Sequence, residues 1–266
     1  MKLAFIGGGV MGEAIIAGAL SKNVAAPDQI AVCDIVAERR AHLGKTHGVS
    51  VSDDAAAAAQ GAELVVLAVK PQEFAAAGAV LSGRLNASQT VMSIMAGVTI
   101  NGIQSALKHN AIVRAIPNTP AQIGEGMTVW TATDAVTAAA REAVRSLLAV
   151  LGRELYVGDE KYVDMATAVS SSGPAYVFLV MEALIDAAVH IGLRREMAEP
   201  MVIQTILGAA RYAQASGRHP AELRNQVTSP GGTTTEGLLA LEEAGIRAAF
   251  VDAVEAAYEK AKRLGG

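Results

Sequence analysis

Short apolar runs alternate with alanine-rich stretches along the first part of the chain. L-A-F-I from Leu3, I-A-V-C from Ile30, L-V-V-L-A-V from Leu64, V-M-S-I-M from Val91 and I-V-R-A-I from Ile112 are almost unbroken apolar segments. Runs of this length without polar alternation predict strands buried on both faces. Between them lie E-A-I-I-A-G-A-L from Glu13 and D-A-A-A-A-A-Q from Asp54, which read as helices. Strands and helices in this order predict an α/β fold with a doubly wound, mostly parallel sheet. T-V-W-T from Thr128 and E-L-Y-V from Glu154 extend the sheet at its edge.

From about Asp159 onward the strand pattern stops. Helices are expected over 175–191, 195–215, 238–243 and 246–264. They are separated by Gly192-Leu193, by S-G-R-H-P from Ser216, and by V-T-S-P-G-G-T-T-T-E-G from Val227. The boundary is expected near Gly158, dividing the chain into an α/β domain over 1–158 and an all-helical domain over 159–266. The apolar run from Val177 is interrupted by Glu182 and Asp186, so it reads as a buried or interface helix and not as a membrane span. A helical domain this apolar is expected to cover a face with a second copy of itself.

The abundance of alanine and glycine, with aromatic residues at only 4 %, changes the expected core from bulky rings to closely approaching small side chains. A formal charge of -4 and the absence of a basic run give no attraction to nucleic acid or to an anionic membrane. Cys33 is the single cysteine, which excludes an intrachain disulfide and points to a reducing, cytoplasmic setting. The five histidines are scattered and no group has metal-ligand spacing, so no metal is expected. The opening apolar run ends after four residues in glycines, which makes it a strand and not an export signal.

That first strand runs straight into Gly7, Gly8, Gly9, Val10, Met11 and Gly12, which fit G-x-G-x-x-G at the start of a helix. Glycine there permits a tight turn and close approach to a pyrophosphate, whose charge is stabilised by the helix N-terminus. Asp34 follows the second strand, where such folds place an acidic ribose ligand, and a carboxylate there favours NAD(H). Arg39 and Arg40 offer the opposite possibility, a grip on the 2′-phosphate of NADP(H) if Asp34 turns aside. A third reading makes Asp34 the N-cap of the next helix, with both arginines solvated. Ala68, Val69, Lys70 and Pro71 end a further strand, Ala96-Gly97 the next, and Pro117, Asn118 and Thr119 the one after. All three are candidate cofactor contacts, because ligands of parallel sheets bind beyond the carboxyl ends of the strands.

In the helical half, Thr233 and Glu236 fit a capping box, so a helix is expected to start at Thr233. The preceding S-P-G-G turn, from Ser229, leaves backbone N–H groups with little side-chain bulk around them, which suits a carboxylate. S-S-S-G-P-A-Y from Ser170 reads as a second loop of the same character.

Taken in order, F-I-G-G-G-V-M-G from Phe5, A-V-K-P from Ala68, S-I-M-A-G from Ser93, P-N-T-P from Pro117, S-S-S-G-P-A-Y from Ser170 and V-T-S-P-G-G-T-T from Val227 resemble pyrroline-5-carboxylate reductase over essentially the whole chain. Two positions depart from that family's pattern. Val10 stands where Asn is common, and no Asn accompanies D-D-A-A from Asp53, where one often contacts the cofactor. The resemblance implies a Rossmann-like first domain and a helical dimerisation domain, forming homodimers and in many members a decamer of five dimers. It implies NADP(H) or NAD(H) as hydride donor to the C=N carbon of a five-membered cyclic imine, giving L-proline. The backbone around Ser229, Gly231, Gly232 and Thr233 would hold the substrate carboxylate. The hydroxyl of Thr234 would face the ring nitrogen, orienting an iminium already protonated in solution, since a hydroxyl is a weak acid. Two other readings compete. A β-hydroxyacid dehydrogenase needs a lysine near the start of the helical domain, where Lys161 stands without a glycine-serine context. A non-catalytic NAD(P)-sensing protein would have no use for the serine- and threonine-rich motifs.

Overall fold

The computed structural model describes residues 1–264, so Gly265 and Gly266 of the expected helical domain lie outside the described residues. Eight strands form one sheet: β1 (Leu3–Ile6), β2 (Ile30–Cys33), β3 (Ser50–Ser52), β4 (Leu64–Leu67), β5 (Thr90–Ser93), β6 (Ile112–Ile116), β7 (Gly126–Ala132) and β8 (Gly152–Tyr156). Their order is β3-β2-β1-β4-β5-β6-β7-β8, and only the β6–β7 pair is antiparallel. The helices among them are α1 (Val10–Ser21), α2 (Ala37–His47), α3 (Ala55–Ala59), α4 (Phe74–Leu81), α5 (Ile100–Leu107) and α6 (Ala138–Leu148). The chain order reverses about β1, with β2 and β3 on one side and β4 onward on the other. This makes the mostly parallel, doubly wound sheet that the pattern predicts.

The reason lies in the strands themselves. All four residues of β1 and of β4 are buried. Leu3 and Phe5 enter one core with Ile15, Ile16, Leu43 and Trp130. Ala4 and Ile6 enter the other with Val65, Leu67, Leu81 and Ile103. Each large side chain so covered contributes about 1.5–3 kcal/mol, which no one-sided sheet could extract from the same strand. The strand expected to continue to Val69 stops at Leu67, because Pro71 opens a short 3-10 turn just beyond. β3 escapes prediction. It has three residues at the sheet edge, two of them serine, too few to show an alternation.

After β8 come α7 (Lys161–Ala166), α8 (Gly173–His190), α9 (Arg195–Ser216), α10 (Pro220–Gln226), α11 (Thr233–Glu243) and α12 (Ile246–Leu264). The expected loop from Ser170 is instead helical. A π turn over Thr167–Ser171 carries the chain from α7 into α8, with the Ser172 N–H donating to the Thr167 carbonyl at 2.9 Å. Pro174 is tolerated because it falls in the first turn of α8, where its missing N–H breaks no helical bond. α10 fills residues 221–226, to which the pattern assigns no element, and is started by Pro220 and by His219 Nδ1, which accepts from the Ala221 N–H at 3.2 Å.

The chain packs as two compact units, Met1–Ser172 with the segment from Ala256, and Gly173–Glu255. The second has almost no core of its own. Ala198 is its only buried residue among those described. α8 has no buried residue, and Phe178 and Leu179 are 60 % and 65 % exposed. The run Lys161–His190 is long and apolar enough to cross a membrane by length and composition alone.

Candidate active site

Parallel pairing brings the carboxyl ends of β1, β2, β4, β5 and β6 to one edge of the sheet. The glycine loop, Asp34, Ala68–Pro71, Ala96-Gly97 and Pro117–Thr119 therefore meet there. The glycines of the loop are not equivalent. Gly7 has φ +99°, and a Cβ on it would lie 2.7 Å from the Ala68 carbonyl carbon and oxygen. A Cβ on Gly12 would lie 2.8 Å from the Gly7 oxygen. Those two let the turn pack against its own fold. Around Gly9, by contrast, nothing lies within 4 Å of where a Cβ would stand. Gly9 also begins α1 without a side-chain cap, and Val10 in the first turn is 63 % exposed. The unpaired N–H groups of the helix start thus open outward, as an anion site requires.

The peptide of Gly8 is held from both sides. Its N–H donates to Asp34 Oδ2 at 2.8 Å, and its carbonyl accepts from Arg39 Nε. Arg39 also pairs with Glu13 of α1 through Nη2. Glu13 in turn takes His42 Nε2 at 2.8 Å and His47 Nε2 at 3.0 Å on its other oxygen. Asp34 is not the cap of α2, whose N-cap is Val36 with no side-chain bond. Its Oδ1 accepts from the Val36 N–H at 2.9 Å. The Glu13 cluster escapes sequence reading, since nothing marks which helix a lone acidic residue of α1 will face.

Burial alone would raise the Glu13 pKa, but hydrogen bonds from His47, Arg39 and His42 hold it down, at about 2 instead of 4.5. A carboxylate depressed in the folded state contributes stability fully present above its ordinary pKa and lost as pH falls toward the folded one. Glu13→Gln is therefore expected to lower the thermal midpoint at pH 7 and to have little effect near pH 2. The gap between the two melting curves should close between pH 4.5 and 2. A gap independent of pH would show that packing, not charge, accounts for the loss.

Along the same edge Lys70 is exposed and forms no ion pair among the described residues. Gly97 turns the chain with φ +76°. Pro117 is buried and Thr119 exposed. The Asn118 side chain is already engaged. Its Oδ1 accepts from the Met127 N–H at 2.9 Å and its Nδ2 donates to the Ser170 carbonyl at 3.2 Å. Earlier on β6, Arg114, 1 % exposed, pairs with Glu160 at 2.7 Å and Asp164 at 2.5 Å. Glu160 also accepts from the Ile100 N–H at the start of α5, at 2.8 Å. A charged residue in an otherwise apolar strand was the available signal, and its partners lie far along the chain.

In the second unit, α11 begins at Thr233, but the expected capping box does not form. Gly232 is the N-cap in extended conformation, and no side chain caps the helix. Thr233 already lies inside the first turn, where its hydroxyl cannot reach the N–H groups ahead of it. Thr235 ties the turn instead, its hydroxyl donating to the Ser229 carbonyl at 3.0 Å. The Gly232 N–H also goes to that carbonyl, at 3.0 Å. The N–H groups of Ser229, Gly231, Thr233 and Thr234 donate to no protein acceptor among the described residues, and neither does the hydroxyl of half-buried Thr234. This is an open cluster of backbone donors with one hydroxyl beside it.

The family model described as "Pyrroline-5-carboxylate reductase dimerisation" matches residues 160–264, and "NADP oxidoreductase coenzyme F420-dependent" matches residues 2–97. A pyrroline-5-carboxylate reductase from Synechocystis sp. is 42 % identical over 265 residues, covering 100 % of this chain and 98 % of the relative. Among solved structures, the pyrroline-5-carboxylate reductase of Coxiella burnetii is 36 % identical with a TM-score of 0.90, over 100 % of this chain and 98 % of that one. That of Plasmodium falciparum, solved with NADP bound, is 31 % identical with a TM-score of 0.91, over the same shares. On this agreement across the full length, the chain belongs to the pyrroline-5-carboxylate reductase family.

Proposed function

We propose that the protein reduces 1-pyrroline-5-carboxylate to L-proline with NAD(P)H, the last step of proline biosynthesis. Full-length identity with reductases of this name carries the reading. When bound, the dinucleotide supplies the hydride. The residues of the sheet edge fit it: the open loop at Gly9, donors at the start of α1, and the turns at Ala68–Pro71, Ala96-Gly97 and Pro117–Thr119. Asn118 acts there by shaping its turn, since both ends of its amide hold protein groups.

The second unit's motif takes the substrate. The N–H groups of Ser229, Gly231, Thr233 and Thr234 are placed to bind a carboxylate, and the first turn of α11 adds a favourable dipole. Gly232 supplies the extended backbone that keeps these donors open. The hydroxyl of Thr234 donates to the ring nitrogen as it gains electron density, and the proton that the amine carries comes with the iminium from solution. Orientation of a bound imine against a bound donor supplies most of the remaining rate.

The helical part is a dimerisation domain, and the exposed apolar sides of α8 are the surface it would cover. We assign the Lys161–His190 run to that interface and not to a membrane, and extend the assembly to five dimers. The nucleotide domain is taken as 1–158 and the helical domain as 159–266. Support comes from the end of β8 at Tyr156 and the start of the dimerisation match at residue 160. Residues 159–172 then form a stem that packs with the sheet. We assign the enzyme to the cytoplasm, a reading supported by the single free cysteine, which forms no intrachain disulfide. The test is oxidation of NADH and NADPH with pyrroline-5-carboxylate, then with hydroxy-acid couples. Turnover confined to the imine is expected, whereas turnover of a hydroxy acid alone would overturn the reading.

A further inference from the structure

The groups at the end of β2 are tied to one another and to the glycine loop. Asp34 does not turn aside. Its two carboxylate oxygens accept from Gly8 and Val36, at 2.8 and 2.9 Å, so the side chain is fixed against the glycine loop. The two arginines that would offset it toward a phosphate are engaged elsewhere. Arg39 is held by Glu13 and by the Gly8 carbonyl. Arg40 donates to the Asp34 backbone carbonyl at 2.7 Å and faces Asp53 at 3.6 Å. The residues directly after Asp34 are Ile35 and Val36, exposed and apolar, which offer no side-chain donor.

We infer that Asp34 makes this enzyme prefer NADH over NADPH, an inference that rests on the proposed dinucleotide-dependent activity. The end of β2 is where folds of this type meet the adenosine ribose. A 2′-hydroxyl can donate to a fixed carboxylate. A 2′-phosphate has no such proton, carries nearly two negative charges at neutral pH, and would have to approach Asp34 with both neighbouring guanidinium groups already paired. Releasing Arg39 would unclamp the Gly8 peptide and strand Glu13 with its two histidines. Asp34 is thus a specificity residue through its charge and a positioning residue through the glycine loop.

Titration calorimetry of the assembled protein with NADH and with NADPH, at one ionic strength and without substrate, tests this. NADH is expected to bind at least tenfold more tightly. Asp34→Ser should reduce the ratio of the two dissociation constants at least tenfold, even if a looser loop weakens both. Asp34→Asn, which keeps the side chain's size, should shift the ratio in the same direction. Equal or tighter binding of NADPH to the unaltered protein overturns the inference, as does a ratio unchanged in both variants. Failure to bind either nucleotide overturns the proposed function with it. A protein that reduces pyrroline-5-carboxylate equally well with both nucleotides, and binds both equally, overturns the Asp34 assignment alone.

Discussion

Thr234→Ala is expected to lower kcat about 100-fold, the scale on which a single donor to a developing charge acts. The dissociation constant for the dinucleotide should stay within about twofold, because tenfold corresponds to 1.4 kcal/mol and Thr234 is assigned no contact with it. The hydroxyl of Thr234 is half-buried and donates to no protein acceptor among the described residues, so its removal breaks no internal bond. The backbone donors that would hold the carboxylate remain, so KM should change less than kcat. Thr234→Ser, which keeps the hydroxyl, should recover much of the rate. A variant that loses KM and kcat together would assign Thr234 to ground-state binding, and full activity would remove it from the mechanism.

Arg114→Ala is expected to destabilise the folded protein by about 3 kcal/mol, the lower end of the range for breaking a buried ion pair. The guanidinium is 1 % exposed, whereas Glu160 and Asp164 retain 29 % and 22 % exposure and can be partly solvated once it is gone. The denaturation midpoint should therefore fall clearly, without abolishing folding. Arg114→Met combined with Glu160→Gln and Asp164→Asn should recover most of the loss, because it removes the unpaired charges and leaves an acceptor for the Ile100 N–H. If the triple variant melts as low as Arg114→Ala, the cost lies in the lost guanidinium contacts themselves, since Met restores bulk and no unpaired charge is left. The pairs join β6 to the stem at α7, so limited proteolysis around residue 160 should also accelerate in Arg114→Ala.

The fold was legible where a single physical requirement dominated. β1, β2 and β6 match their expected bounds to the residue, because a strand buried on both faces reads as a nearly continuous apolar run, interrupted in β6 only by the ion-paired Arg114. Parallel pairing then implies the common edge where the glycine loop and the other strand-end turns meet. β3 was invisible because an edge strand of three residues is stabilised by its neighbour and not by its own pattern. The capping pattern predicts the right first residue for α11, but for the wrong reason. Gly232 takes the extended cap position, which leaves Thr233 inside the helix. Pairings such as Glu13 with His47, or Arg114 with Asp164, join residues 34 and 50 positions apart, and no local spacing announces them. In the candidate site, residue types could be read from the motifs, whereas the engagement of Asn118, Asp34 and both arginines needed their neighbours.

With Ala198 alone buried among the described residues of its unit, the helical half has little to gain from folding in isolation. If the exposed apolar surface of α8 is the dimer face proposed above, it lowers free energy only when another copy arrives, and folding of this half is coupled to association. On that reading its stability depends on protomer concentration, and dilution acts on it as a denaturant would. The sheet carries its own two cores and is free of that dependence. One chain therefore obeys two laws, unimolecular over its sheet and mass-action over its helices.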